Sequence, residues 1–430
     1  MRIWKGNMGF KWLIPILVCL VGTSPFSQAV EKNRAVLVRS MKKDSARPVD
    51  LSSDGRYILT IGERKNPERS GARLSVLAVY ETEKGNNVGK PVIEAEGSFI
   101  TAIFDDSRRV LALKMQLTKP RPSYALLEWD FVSERLGERP VQLAFTPQCI
   151  LNNRQFAGIV PDRNTPKGRV PQELLTVSEE NSLRILRQPS AIPSDYPYPR
   201  FHSPSALLGD NCSAWRWKDN ILLANTSPGD LHWISFQPDK DPIRCHSFPG
   251  ELVCGHAVSP DGSLIAVVTI DRDLDKLTRV AEVPPVFLNL LRAETCKPMG
   301  RTLLHFPEKP AWRRSAPLSR KKSIDNGLFL HQLASRIAIS PDNKKLALAY
   351  GIFKSSDGDA YFGLYSLSDG RRLATLRGSK NRGGLLQGLR SEEIWAPSAP
   401  ISGMLRFSPD SRMLYAGSKG VFQWDISGIK

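Results

Sequence analysis

The 430-residue sequence lacks the compact motifs by which catalysis is commonly recognised. It has no G-x-S-x-G, no H-E-x-x-H, no Walker loop, no C-x-x-C and no C-x-x-C-H. Helical periodicity is scarce throughout, which excludes a separate α/β hydrolase domain of ordinary size. No long apolar run occurs after the first 30 residues, which excludes a polytopic membrane protein. Acidic residues are also in short supply: 43 Asp plus Glu stand against 60 Lys plus Arg, a formal charge of +17. The remainder is ordinary for a globular chain, with 41% hydrophobic and 24% charged residues, so disorder and collagen are excluded too.

Residues 1–29 read as a secretory signal peptide. Arg2, Lys5 and Lys11 give a positive start, Trp12–Val21 is an apolar run too short to span a bilayer, and Ser27-Gln28-Ala29 offers small residues for cleavage. Removing them leaves 57 cations against 43 anions, a mature charge of +14, with residues 30–430 as a single domain and no membrane span. The expected location is secreted or periplasmic. A basic surface suits an anionic polymer, and no specific nucleic acid is implied. Five cysteines remain: Cys149, Cys212, Cys245, Cys254 and Cys296. Cys245 and Cys254 flank Phe248-Pro249-Gly250, read as a hairpin turn, and are the expected disulfide; an odd count leaves at least one thiol free.

One phrase recurs, an alternating strand, a Ser-Pro-Asp-Gly-like turn and a second strand. Its copies are 49–60, 102–113, 257–268, 337–348 and 405–416, turning at Asp54, Asp106, Asp261, Asp342 and Asp410. Pro260, Pro341 and Pro409 preset φ for the second turn position, and the Asp carboxylate accepts local backbone hydrogen bonds. Gly55 and Gly262 supply positive φ at no steric cost; Asn343 is next best, and Ser107 and Ser411 are poorer. Leu264–Val268 and Leu346–Leu348 are apolar at nearly every position, so both of their faces should be covered. A further hairpin follows each phrase, giving four antiparallel strands per unit. Residues 173–186 and 220–236 form two more hairpins without the diagnostic turn.

Trp129-Asp130 and Trp424-Asp425, placed where a third strand ends, together with the Ser-Pro-Asp turns, resemble WD40-like proteins. That resemblance implies an all-β fold, a β-propeller of four-stranded antiparallel blades. Seven blades fit the count, with six and eight as alternatives. Asn33–Arg39 reads as a strand that completes the last blade and closes the ring.

The resemblance, with no catalytic motif, points to an exported, non-catalytic module for protein–protein interaction or scaffolding. No catalytic residue, metal ligand or cofactor is assigned. The alternative is a lactonase-like or quinoprotein-like propeller, an enzyme or cofactor protein with its site in the central channel. The candidate binding loops are Trp312, Arg313 and Arg314 with Arg320, Lys321 and Lys322, where an indole lies among cations, and Tyr196 and Tyr198 in a Pro-rich stretch. Cys245, His246, Cys254 and His256 have the residue types of a zinc site, but adjacent Cys245 and His246 point to opposite faces of a strand. Asp271, Asp273 and Asp275 lack the glycine and glutamate of a calcium loop.

Overall fold

The computed structural model describes residues 36–41, 47–69, 71–118, 122–143, 145–151, 155–161, 173–179, 182–186, 216–217, 220–224, 230–235, 240, 243–271, 285–304, 336–349, 361–377, 404–416 and 421–429. Among them the only regular elements are 28 β-strands. After β1 (Val36–Met41), the first sheet is β2 (Arg47–Leu51), β3 (Tyr57–Lys65), β4 (Arg73–Glu81) and β5 (Asn87–Glu94). The second is β6 (Gly97–Phe104), β7 (Arg109–Gln116), β8 (Ser123–Asp130) and β9 (Arg135–Val141). The third is β10 (Thr146–Ile150), β11 (Gln155–Pro161), β12 (Glu173–Glu179) and β13 (Ser182–Leu186). The fourth is β14 (Arg216–Trp217), β15 (Asn220–Ala224), β16 (Asp230–Ser235) and β17 (Ile243–Ser247). The fifth is β18 (Glu251–Val258), β19 (Leu264–Asp271), β20 (Val286–Arg292) and β21 (Pro298–Leu303). The sixth is β22 (Arg336–Ile339), β23 (Lys345–Ala349), β24 (Tyr361–Ser366) and β25 (Arg372–Arg377). The seventh is β26 (Leu405–Phe407), β27 (Met413–Ala416) and β28 (Val421–Asp425), with β1 antiparallel to β28 as its outer strand.

Where their packing is described, the sheets bury their faces against one another, which is why the middle strands are apolar without alternation. Ile265, Ala266, Val267 and Val268 are all fully buried. Ile265 and Val267 face Leu222, Leu231 and Trp233 of the fourth sheet; Ala266 and Val268 face Ile337, Ile339 and Leu346 of the sixth. Phe362 and Leu364 meet Leu414 and Trp424, and Leu51 and Ile58 meet Met404, Tyr415 and Val421, so the seventh sheet packs on the first. Leu59 and Leu77 meet Trp129 and Phe131, and Leu111 and Leu126 meet Ile150 and Phe156. Each such side chain contributes roughly 1.5–3 kcal/mol through loss of apolar surface from water. A single four-stranded sheet has no core of its own, so stability resides in these junctions. Among the described residues the architecture is all-β, seven four-stranded antiparallel sheets.

The Trp-Asp pairs do end third strands, β8 and β28. Directly after five of the third strands, one N–H returns to the turn between the first two strands: Thr82 to Arg56 O, Phe131 to Arg108 O, Ala293 to Ser263 O, Leu367 to Lys344 O and Ile426 to Arg412 O. The repeated phrase therefore encodes one hydrogen-bonded unit spanning three strands.

The structure corrects the expected disulfide. Cys245 bonds to Cys296, not Cys254. Phe248-Pro249-Gly250 is no hairpin turn; it carries the chain from β17, last strand of the fourth sheet, to β18, first of the fifth. Cys254 therefore belongs to a different sheet from Cys245. Cys296 stands in the turn between β20 and β21 with a positive φ of 56° and meets Cys245 across the junction. Cys149 is also disulfide-bonded.

Candidate interaction face

Four of the repeated turns are built alike. Ser52, Ser259, Ser340 and Ser408 each donate a hydroxyl hydrogen bond to the Asp two residues on. Each serine oxygen also accepts the N–H five residues on, from Tyr57 (2.9 Å), Leu264 (2.9 Å), Lys345 (2.8 Å) and Met413 (2.8 Å). Each Asp accepts the N–H of the residue two positions later: Arg56, Ser263, Lys344 and Arg412. The intervening residue has positive φ: Gly55 72°, Gly262 70°, Asn343 55° and Ser411 61°. Asn343 and Ser411 adopt that conformation without being glycine, and the side chain of each is hydrogen-bonded to a neighbouring turn.

These turns also hold one another. Asn343 Nδ2 donates to Asp261 Oδ2 at 2.7 Å and to Ser263 Oγ at 3.1 Å, joining the sixth sheet to the fifth. The Asp342 N–H donates to Ser411 Oγ at 3.1 Å, joining the sixth to the seventh. Gly55 lies so close to Pro409 that an added Cβ would stand 2.5 Å from the proline ring, which joins the seventh to the first. Burial alone would raise the Asp261 carboxyl, but hydrogen bonds from Ser259, Ser263 and Asn343 outweigh it and hold it at about 2. Burial is likewise outweighed at Asp342, chiefly by Ser340, and Ser408 lowers Asp410. These carboxylates are committed to structure.

Nearer the innermost strands, Asp50 joins three successive sheets. It accepts the Phe104 N–H at 2.8 Å and pairs with Arg406 at 3.0 Å, while Arg47 donates to Ile100 O at 2.7 Å. Burial pushes the Asp50 carboxyl up, against the opposing pull of Arg406. Between the first and second sheets, buried Lys114 lies 3.0 Å from Glu94 and 2.7 Å from Glu138. Burial lowers its pKa, but the two carboxylates more than restore it. Both clusters are joints, with every formal charge engaged.

The opposite end differs. Arg47 pairs with Ile61, Gly97 with Gln116, Glu251 with Asp271, Arg336 with Ala349 and Leu405 with Ala416. First strands thus begin, and second strands end, away from the locked turns. We term this the connection end. The strands β14, β22 and β26, which residues 187–215, 305–335 and 378–403 precede in sequence, begin at this end. Trp312, Arg313, Arg314, Arg320, Lys321, Lys322, Tyr196 and Tyr198 lie outside the described residues.

His256 is buried and its Nε2 lies 3.0 Å from Leu222 O; burial holds its pKa near 4, so it is neutral in the folded chain. His246 packs edge-on against Phe248, and Cys245 is committed to its disulfide. Among the described residues no three His, Cys, Asp or Glu side chains are placed to hold a metal ion. Asp271 ends β19; Asp273 and Asp275 lie outside the described residues.

Sequence reasoning passed over the β3–β4 hairpin as a site, although its two nine-residue strands are long for these sheets. Arg47 pairs with Ile61 at the far end of β2, and Glu94 pairs with Ser75 at the far end of β5. Arg64 and Lys65 therefore pair with Leu74 and Arg73 alone, as a two-stranded ribbon projecting from the connection end. The signal was available: Arg64-Lys65, Arg69 and Arg73 surround a short Asn66-Pro67 turn.

No family model matches the chain, and no curated protein matches it. Among solved structures it resembles an oligogalacturonate lyase in complex with manganese, with TM-score 0.47, 11% identity, 91% of this chain and 97% of the other. It resembles KlHsv2 with a loop replaced by a Gly-Ser linker, with TM-score 0.42, 9% identity and coverage of 86% and 92%. The propeller domain of the trilobed protease from Pyrococcus furiosus gives TM-score 0.40, 10% identity and coverage of 80% and 83%. Likeness at this level carries nothing about chemistry.

Proposed function

We propose that this chain is an exported, non-catalytic propeller of seven blades, closed into a ring by β1, that presents its connection end to a protein partner. The carrying observation is the contrast between its two ends. At the turn end the turns of the fifth, sixth, seventh and first sheets are tied to one another, whereas the strands that the long segments precede begin at the other. Of these, residues 305–335 hold Trp312 and six Lys or Arg against two Asp or Glu. Trp312, Arg313, Arg314, Arg320, Lys321, Lys322, Tyr196 and Tyr198 are the proposed contacts, an aromatic and cationic set suited to protein surfaces and to acidic groups.

Residues 1–29 are proposed to direct export and to be removed, leaving residues 30–430 as one domain outside the cytoplasm. The Cys245–Cys296 bond and the bonded Cys149 support an oxidising compartment. N-terminal sequencing of the exported protein should begin at Val30. The interaction is tested by capture from envelope extract with the mature chain, beside a W312A/R313A/R314A variant. A discrete protein retained by the parent and lost by the variant is expected. A parent that retains nothing at any concentration contradicts the reading.

A further inference from the structure

The β3–β4 ribbon carries charge that the fold does not use. Its tip is closed by Asn66 N–H to Ala72 O at 3.0 Å and Ala72 N–H to Arg69 O at 3.1 Å, with Gly71 at φ 85° and Asn66 Oδ1 accepting the Glu68 N–H. The ribbon is therefore a formed element. Glu63, Arg64, Lys65, Glu68, Arg69 and Arg73 are all exposed. Arg73 is paired with Glu63. Arg64, Lys65 and Arg69 make no ion pair among the described residues. Lys65 stands directly across from Arg73, a like-charge cross-strand pair that costs stability. Ser75, on the face shared by Glu63, Lys65 and Arg73, accepts the Phe99 N–H at 3.0 Å, so that face looks toward the second sheet. Arg64 lies on the other face and Arg69 at the tip.

We propose that the ribbon is the docking element for an extended acidic stretch of a protein partner. Side-chain placement argues for an extended segment. Cations on two faces and a tip can be met together by a flexible chain, whereas a flat acidic patch would meet one face only. A carboxylate run would also relieve the Lys65–Arg73 opposition. This inference rests on the interaction reading above and names the chemistry of the partner.

The test uses the whole mature chain and a labelled 20-residue poly-glutamate peptide, followed by fluorescence anisotropy at low salt. The ribbon variant is R64Q/K65Q/R69Q. The control, R56Q/R371Q/R412Q, removes the same charge from exposed residues at the turn end. Equal urea midpoints establish that both are folded. The parent should bind, and the ribbon variant should bind about fivefold more weakly, as three exposed ion pairs of about 0.3 kcal/mol each would give. The control should change by less than about twofold, and added salt should weaken parental binding. Equal weakening in the two variants, no weakening, or no parental binding would overturn the proposal. So would retention of polyphosphate but not poly-glutamate. If the parent captures a partner from extract yet ignores the peptide, the ribbon proposal fails alone; if both fail, the interaction reading fails with it.

Discussion

The arc formed by the fifth, sixth, seventh and first sheets is joined differently from the second sheet and the fourth-to-fifth junction. In the arc, neighbouring Ser-Asp turns touch, through Asn343 to Asp261, Ser411 to Asp342 and Gly55 against Pro409. In the second sheet the turn at Asp106 has another form. Its carboxylate accepts the N–H groups of Arg108 and Arg109, and Ser107 stays out of the positive-φ region. That sheet is joined to the first by Lys114 between Glu94 and Glu138, and by Lys90 N–H to Glu134. The fourth and fifth are joined covalently by Cys245–Cys296. The lesson is that sheets of one shape need lateral ties but no particular chemistry for them. Where the repeated phrase is intact its turns tie the sheets, with Asp50–Arg406 added between the seventh and first; where it has decayed, a buried charge or a disulfide carries the junction.

The largest expected effects are common to both regions. Trp424→Ala and Trp129→Ala each empty a fully buried site between sheets and should cost about 3–5 kcal/mol in urea unfolding. A far smaller loss at either would show that its junction does not carry stability. Lys114→Ala strands two carboxylates, one of them half-exposed, and should cost about 2–3 kcal/mol, less than a fully buried pair. Lys114→Met, with similar volume but the same stranded charges, should recover little of that. The C245S/C296S pair should lose about 2–4 kcal/mol, and reduction should lower the parent's midpoint by more than this variant's, which keeps only the bond at Cys149.

The smallest expected effect lies in the arc. Asn343→Gly, which keeps the positive-φ turn without strain, removes the tie to Asp261 and should cost about 1 kcal/mol at neutral pH. The Asp261 pKa of about 2 lies below its ordinary value of 3.8, so its contribution is present above the ordinary value and is lost as pH falls through the folded one. The gap between parent and Asn343→Gly should therefore largely close near pH 2. A gap that persists there would mean the tie does not act through the ionised carboxylate.

Much of this architecture was readable from residues. The Ser-Pro-Asp-Gly phrase dictates its own hydrogen bonds, because Ser, Asp and a positive-φ residue are all within five positions. Third-strand ends at Trp129-Asp130 and Trp424-Asp425, and the hairpins at 173–186 and 220–236, also follow from local pattern. What was not readable depends on neighbours in space. Cys254 is close to Cys245 along the chain, yet Cys296, 51 residues away, is its partner across a junction. Asp50 with Arg406 joins residues from opposite ends of the sequence, and neither shows a local signature. Ser107 occupies the place of a turn residue, but Phe104 stands where the locked turns have serine, so their Ser–Asp lock cannot form there.

The most direct test of the account is cooperative unfolding of the mature chain without residues 33–41, which removes β1 from the edge of β28. If the sheets stand as one ring, the deletion should lower the urea midpoint and split or broaden the single transition, because the seventh sheet loses its outer strand and the junctions beside it weaken. A deleted chain that unfolds in one transition at the parental midpoint would contradict closure by β1.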